Sequence, residues 1–196
     1  MRICEERYHE WEKRMTKKLS EMSLEELWEL FPIFLTEHQS VWKDWFEEEE
    51  CRLQAMLPSN HVSRISHIGS TAIDTIWAKP IIDILVEISP ACDMEVIKDI
   101  LVDGGYICMS RDANRISLNK GYTENGFAKK VFHLHLRYEG DHDEIYFRDY
   151  LRQHPEVAGE YETLKLKLWK EFEHDRDGYT NAKAEFVLKY TQQAKR

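Results

Sequence analysis

The spacing of apolar residues changes at about residue 61, and this change separates two parts of the chain. Before it, apolar side chains such as Trp42, Trp45 and Leu53 recur three or four positions apart, the spacing of one face of a helix. The acidic run 47–50 falls between them and is predicted to face water. This pattern predicts a helical N-terminal extension over residues 1–57.

The middle of the chain has a residue pattern typical of β-strands. Residues 61–68 alternate between apolar and polar, and residues 81–88 form a nearly continuous apolar run, which is typical of a strand buried on both faces. A short helix over 93–102 and three more strands, at 106–109, 115–118 and 131–138, are expected to follow. This order predicts an α+β fold with a mixed sheet in residues 61–138.

The remainder of the chain is predicted to be helical. Helical spacing recurs over about 142–153, 156–173 and 180–193, the second stretch beginning after Pro155. At 196 residues the chain is long enough for one domain and short for two. We therefore expect a single domain over residues 1–196, a mixed sheet flanked by helices.

Composition and charge exclude some classes of function. The chain is 42% hydrophobic, so it can bury a core, but it has no run of about 18 apolar residues that would predict a membrane span. Its formal net charge of −9 argues against general nucleic-acid binding, which depends on Lys and Arg contacts to phosphates. The N-terminal residues carry no secretory pattern, so we expect a soluble cytoplasmic protein.

The first candidate site is the turn Gly69-Ser70-Thr71, which follows the first predicted strand. Such a turn exposes backbone amides and hydroxyl groups that suit a phosphate. Alone it is weak evidence, because most such turns bind nothing. The neighbouring strand adds Asp83, and a phosphate site beside a carboxylate that can hold magnesium is how phosphoryl-transfer sites are built.

The strand that carries Asp83 limits the metal chemistry that can be expected. Residues four apart on a strand point the same way but lie about 13 Å apart, so Glu87 cannot share an ion with Asp83. The position between them is Leu85. Asp83 is thus one weak ligand where catalysis usually has two or three, and a structural hydrogen-bonding role is the alternative.

Two histidines and three cations complete the set of candidate residues. His133 and His135 lie on one face of a later strand, where either could act as a general acid or base, and His135 could join Asp83 in binding Mg²⁺ or another divalent metal. Ordinary surface histidines are the alternative. The phosphate-binding candidates are Lys79, Arg148 and Lys183. Each has a structural alternative, as a strand-end lysine, a salt-bridged arginine or a residue at the start of the last helix.

Five ordered motifs resemble the GrpB family. They are His67-Ile68-Gly69-Ser70-Thr71-Ala72, Lys79-Pro80-Ile81-Ile82-Asp83-Ile84, His133-Leu134-His135-Leu136, the stretch 147–155, and Tyr179-Thr180-Asn181-Ala182-Lys183. The resemblance covers about residues 28–190. It implies a nucleotidyltransferase-like fold in which the Gly-Ser turn holds nucleotide phosphates and an acidic strand holds magnesium. The wider pattern has a second carboxylate where this chain has Leu85.

Three functions are compatible with these residues. The first is a metal-dependent enzyme that transfers a nucleotidyl or phosphoryl group, and the second is a module that binds a nucleotide or phosphorylated small molecule without turnover. The third is a partner-binding protein or homodimer that uses the helices of Trp28, Trp42 and Trp45 as a docking surface. Exposed tryptophans favour this third hypothesis, whereas buried ones belong to the core.

Overall fold

The computed structural model describes residues 17–196, so the helix predicted for residues 1–16 lies outside the described residues. A 3₁₀ turn at Leu19–Glu21 precedes helices α1 (Leu24–Leu30) and α2 (Val41–Met56). The Ser23 hydroxyl accepts a hydrogen bond from the Glu26 backbone, and the Glu26 carboxylate accepts one from the Ser23 amide. This reciprocal cap fixes the start of α1.

Five strands form one mixed sheet, as predicted. They are β1 (Val62–Ile68), β2 (Ile82–Ile88), β3 (Ile107–Arg111), β4 (Arg115–Thr123) and β5 (Gly126–Tyr138), with α3 (Met94–Asp103) between β2 and β3. The strand order is β1-β2-β5-β4-β3, in which β2 and β5 are parallel and the other neighbours are antiparallel. Strands β4 and β5 are longer than predicted because a tight turn joins Thr123 to Gly126 and extends the pairing to Tyr122 and Phe127.

The C-terminal helices are α4 (Asp143–Gln153), α5 (Pro155–Glu171), α6 (Arg176–Asn181) and α7 (Ala184–Ala194). The prediction of one last helix over 180–193 is wrong. The Asp175 side chain accepts a hydrogen bond from the Gly178 amide and starts α6 early. Helix α6 ends at Asn181, so Lys183 lies in the break between two helices. Within residues 17–196, we find no helix with the length and apolarity of a membrane span.

One face of the sheet packs against α2 and α3 and forms the main core. The residues of β2 that alternate onto this face are Ile82, Ile84, Val86 and Ile88, and they pack with Trp42 and Leu53 of α2 and Ile97 and Leu101 of α3. Trp42 is fully buried and Trp45 packs against the same cluster. These two tryptophans therefore belong to the core, which leaves the predicted docking surface without its main support.

The other face of the sheet is polar near its centre and lies under the C-terminal helices. It carries Asp83, Leu85 and Glu87 from β2 beside the histidines of β5. Leu85 is fully buried in a small cluster with Ile68 of β1 and Ile145 of α4. Position 85 is therefore filled by apolar packing, next to the only acidic residue at that end of β2.

The prediction that the acidic run 47–50 faces water is wrong for one of its members. Glu49 is fully buried, where it accepts hydrogen bonds from the Tyr106 hydroxyl at 2.9 Å and from Lys120 Nζ at 2.7 Å. Arg52 Nη1 also lies 3.0 Å from its carboxylate. Burial alone would raise the pKa of Glu49, but these donors lower it, so the buried carboxylate is ionised.

Candidate functional site

The turn after β1 depends on a glycine. Gly69 has φ 69° and ψ −172°, a conformation that side chains rarely adopt. A Cβ atom at this position would lie 2.2 Å from Asp83 Oδ2 and 2.9 Å from Asp83 Cβ. Glycine therefore lets the turn pass directly against the Asp83 carboxylate, and Ser70–Ala72 continue as a short 3₁₀ turn.

Buried hydrogen bonds hold the inner side of this turn. The Thr71 hydroxyl donates to the Ile81 carbonyl at 3.2 Å and lies 3.0 Å from His67 Nε2. Because the hydroxyl proton goes to Ile81, His67 Nε2 carries the proton of its own bond to Thr71. The His67 ring also stacks on Phe46, and burial lowers its pKa to about 4. His67 is thus neutral and faces the turn.

Two arginines of α4 bracket the same turn. Arg148 Nη1 donates to the His67 carbonyl at 2.7 Å, and its Nε donates to Asp149 at 2.7 Å. Arg152 donates to the Ala72 carbonyl through Nε at 3.0 Å and Nη2 at 2.6 Å. The guanidinium groups therefore fix the chain on both sides of Gly69-Ser70-Thr71. In this arrangement Arg148 positions the turn.

Parallel pairing of β2 with β5 brings both histidines to Asp83. The backbone register opposes Asp83 to His133, and Asp83 Oδ1 lies 3.4 Å from His133 Nδ1 and 3.8 Å from His135 Nε2. Burial alone would raise the pKa of Asp83, but the two histidines outweigh it and hold the pKa well below its usual range. Burial lowers the pKa of His133 to about 4 despite the carboxylate. At neutral pH the group is an ionised carboxylate beside a neutral His133.

The protonated ring nitrogen of each histidine follows from the contacts of the nitrogen that points away from Asp83, here called the outer nitrogen. Arg176 Nη2 lies 3.2 Å from His133 Nε2, and Arg137 Nη2 lies 3.4 Å from His135 Nδ1. A guanidinium only donates, so these nitrogens accept, and each N–H faces Asp83. A metal-ligating histidine has the reverse arrangement, with its outer nitrogen donating. As arranged, both histidines direct an N–H toward Asp83 Oδ1, at 3.4 Å for His133 and 3.8 Å for His135.

The donor set around Asp83 does not fit a resident metal ion. Within residues 17–196, no three His, Cys, Asp or Glu side chains are grouped so that they could hold one. The next residue of β2 on the same face as Asp83 is the buried Leu85. The divalent metal predicted on Asp83 and His135 stays a prediction.

Two lysines converge on one aromatic ring beside the turn. Lys79 Nζ lies 5.3 Å and Lys183 Nζ 4.1 Å from the ring centroid of Tyr179, which is buried. Desolvation, together with repulsion from Lys183 and Arg176, lowers the pKa of Lys79 to about 7. Desolvation also lowers the pKa of Lys183 to about 8, although Asp83 opposes the shift. Nearby negative charge therefore does not compensate for the burial of these two ammonium groups.

These side chains line two adjoining cavities. The smaller, of about 170 Å³, is lined by the turn Gly69-Ser70-Thr71 with Lys79, Asp83, His133 and Lys183. The larger, of about 470 Å³, is lined by Gly69, Ser70, Asp83, His135, Arg148 and Lys183. Every residue predicted for the site thus lines one cavity or the other.

Several residues of this region were missed by sequence reasoning. Tyr161 and Tyr179 line the smaller cavity. The helical spacing of Tyr161 indicated only core packing, and the sequence indicated Tyr179 only as part of the last GrpB-like motif, with no role of its own. Arg176 donates to the Tyr122 hydroxyl at 2.6 Å, and that hydroxyl lies 2.8 Å from His133 Nε2. No sequence signal links Tyr122 or Arg176 to His133, because only the folded sheet and α6 bring them together.

The five-stranded mixed sheet and its flanking helices have a nucleotidyltransferase-like fold. The same fold occurs in the Cid1 poly(U) polymerase, in a structure with Mg and 3′-dATP bound, which superposes with a TM-score of 0.50 and 10% sequence identity over 81% of this chain and 51% of that one. At this identity the likeness concerns the fold alone.

The chain belongs to the GrpB family, since the family model described as "GrpB protein" matches residues 32–193. The glutamate-rich protein GrpB of Alkalihalophilus pseudofirmus is 37% identical over 161 residues, which cover 79% of this chain and 91% of that protein. The UPF0157 protein YqkA of Bacillus subtilis is 30% identical over 95% of this chain, which spans 55% of YqkA. The crystal structure of GrpB from Enterococcus faecalis superposes with a TM-score of 0.70 at 30% identity, covering 82% of this chain and 96% of that one.

Proposed function

We propose that the cleft beside β2 binds the phosphate group of a nucleotide or another phosphorylated small molecule. The observation that carries this proposal is the convergence of Lys79 and Lys183 on one ring, at the wall of the cavity that Gly69 and Ser70 also line. An oxyanion placed between these groups would supply the negative charge that both lysines lack. It would also raise their lowered pKa values.

Local charge supports an anionic ligand although the whole chain has a net charge of −9. Lys79 and Lys183 line the smaller cavity with one carboxylate, that of Asp83, and Arg176 adds a positive charge beside His133. The Asp83 charge is in turn shared with two histidine N–H groups. The pocket therefore has positive charge in excess, which favours a phosphate over a free cation.

A second candidate function is metal-dependent transfer of a nucleotidyl or phosphoryl group. The shared fold favours it, since Cid1 is a polymerase solved with a magnesium ion and a nucleotide analogue. Within this chain Asp83 would be the carboxylate nearest the phosphate, and His133 and His135 the groups able to hold a proton beside it. The single carboxylate argues against a route that needs two metal ions.

Calorimetric titration of the protein with inorganic phosphate tests the proposal. The native chain is compared with Lys183→Met and with Lys189→Met, which is a matched control because Lys189 also lies over a tyrosine ring, that of Tyr190, at 4.6 Å. A hydrogen bond to a charged group contributes about 1.5–3 kcal/mol, so Lys183→Met should weaken phosphate binding by about tenfold or more. Lys189→Met should leave it within about twofold.

The same titration with ATP, with and without Mg²⁺ or Mn²⁺, separates the two candidate functions. Tighter ATP binding with metal, lost in Asp83→Asn, together with slow release of pyrophosphate or phosphate, supports transfer. Binding that is independent of metal and unaccompanied by turnover supports binding alone. Equal phosphate affinity in the native chain and in Lys183→Met contradicts the proposed phosphate site.

A further inference from the structure

The larger cavity has a different chemical character from the smaller one. Away from their shared wall, its lining is mainly apolar, with Ile73, Phe147 and Val187 facing the space. Leu188 of α7 also lines it and remains 59% exposed. A cavity of about 470 Å³ lies in the range of small-molecule sites. Most of its lining surface is apolar, and its charged side chains lie along part of the wall.

The two cavities adjoin. Gly69, Ser70, Asp83, Tyr161 and Lys183 line both of them. A ligand bound at this junction can therefore contact the lysines of the smaller cavity and extend along the same side chains into the larger one. Burial and the Asp83 charge raise the pKa of Tyr161 well above its usual range, so the phenol at this junction is neutral.

Charge decides which end of such a ligand lies in the larger cavity. Asp143 and Glu144 line that cavity, and both are paired already, Asp143 with Lys195 and Glu144 with Arg137. Arg148, the arginine that lines this cavity, is engaged by Asp149 and the His67 carbonyl. The larger cavity therefore has no spare positive charge apart from Lys183 at the shared wall. A second anionic group would be poorly accommodated.

We infer that the ligand of this cleft is a phosphomonoester with an uncharged, predominantly apolar body. Its phosphate lies in the smaller cavity between Lys79 and Lys183, and its body lies in the larger cavity against Phe147, Val187 and Leu188. This inference rests on the proposed phosphate-binding function and names the class of ligand. It also accounts for the exposed Leu188, which such a body would cover.

A series of phosphate ligands tests the inference by calorimetry. The ligands are inorganic phosphate, glycerol phosphate, adenosine monophosphate and phenyl phosphate, with phenol as the body without its phosphate. Burial of an apolar group the size of a Leu or Phe side chain is worth roughly ten- to hundredfold in affinity. Phenyl phosphate should therefore bind about ten- to hundredfold more tightly than glycerol phosphate, and more tightly than adenosine monophosphate.

Two variants locate the preference in the larger cavity. Leu188→Gln should reduce the preference for phenyl phosphate over inorganic phosphate by about threefold or more, while inorganic phosphate binds as before. Leu24→Gln is the matched control, because Leu24 is 51% exposed on α1, away from the cleft, and it should leave the preference unchanged. Val187→Asn, one residue before Leu188, gives an independent change in the same wall.

The outcomes separate this inference from the phosphate site on which it rests. If inorganic phosphate binds but phenyl phosphate binds no better than glycerol phosphate or adenosine monophosphate, the apolar body is refuted and phosphate binding stands. If phenyl phosphate is preferred equally in the native chain and in both wall variants, the larger cavity is not its site and the inference also fails. If no phosphate ligand binds the native chain, both proposals fall.

Discussion

Replacing Gly69 with alanine should be among the most damaging small changes in the chain. The backbone conformation at φ 69° and ψ −172° costs about 1–3 kcal/mol for a residue with a side chain. The added Cβ would also lie 2.2 Å from Asp83 Oδ2 and 2.9 Å from Asp83 Cβ. Rotation of the carboxylate relieves the first contact but not the second, so β2 or the turn must shift.

We expect Gly69→Ala to lower the free energy of unfolding by about 3 kcal/mol or more, a sum of strain and displaced hydrogen bonds. For a chain of this size that corresponds to a melting temperature roughly 6–12 °C lower. Phosphate binding, measured on the folded variant at low temperature, should be lost, because Asp83 and the turn can no longer keep their positions.

Gly105→Ala is the control for the free-energy cost of backbone strain alone. Gly105 has φ 91° with no atom within 4 Å of an added Cβ, so only strain of about 1 kcal/mol is expected there. Urea unfolding of the two variants beside the native chain makes the comparison. If Gly69→Ala costs no more than Gly105→Ala, the close approach of the turn to Asp83 does not exist as described.

Two further predictions concern the lysines and Tyr179 of the cleft, and a third concerns the buried Glu49. Because the pKa values of Lys79 and Lys183 are lowered to about 7 and 8, both lysines lose their charge as pH rises from 6 to 9. Sulfate, whose own charge is constant over this range, should therefore bind at least about tenfold more weakly at pH 9 than at pH 6 when measured by calorimetry. Tyr179→Leu should weaken phosphate binding several-fold, whereas Tyr179→Phe should leave it within about twofold, because the ring and not the hydroxyl faces both ammonium groups. Glu49→Ala should lower the free energy of unfolding by about 3–5 kcal/mol in urea and the exposed Glu47→Ala by less than about 0.5, since only Glu49 is a buried ion-pair partner.

The order of elements was predictable because each strand carries its own local signal. The apolar run of β2 and the alternation of β1 gave the sheet its core strands, and glycine or proline marked their ends. The spacing of His133 and His135 also placed both on one face. Which strand that face adjoins was open, because the parallel pairing that sets Asp83 opposite His133 is a long-range contact with no local signature.

The residues that sequence reasoning missed have roles that arise only from packing. Tyr161 lies among the buried residues of α5 and shares that pattern with ordinary core residues, whereas Tyr179 is the one buried residue of the short helix α6. Their position in the cleft depends on how α5 and α6 cross the sheet. Glu49 belongs to an acidic run typical of a solvated surface, yet Lys120 and Tyr106 reach it from the sheet side. A linear pattern cannot show that a partner from another element covers one member of the run.

The apolar residue Leu85 affects which ligands the cleft can bind. A carboxylate there would sit on the same face as Asp83 and offset the charge of Lys79 and Lys183, as a metal site requires. Leu85 instead packs against Ile68 and Ile145. The lysines are thus left with a single carboxylate, that of Asp83, whose Oδ1 already faces two histidine nitrogens at 3.4 and 3.8 Å. A metal ion could enter this cleft only together with a negatively charged ligand, and a bound phosphate is the group that would supply this charge.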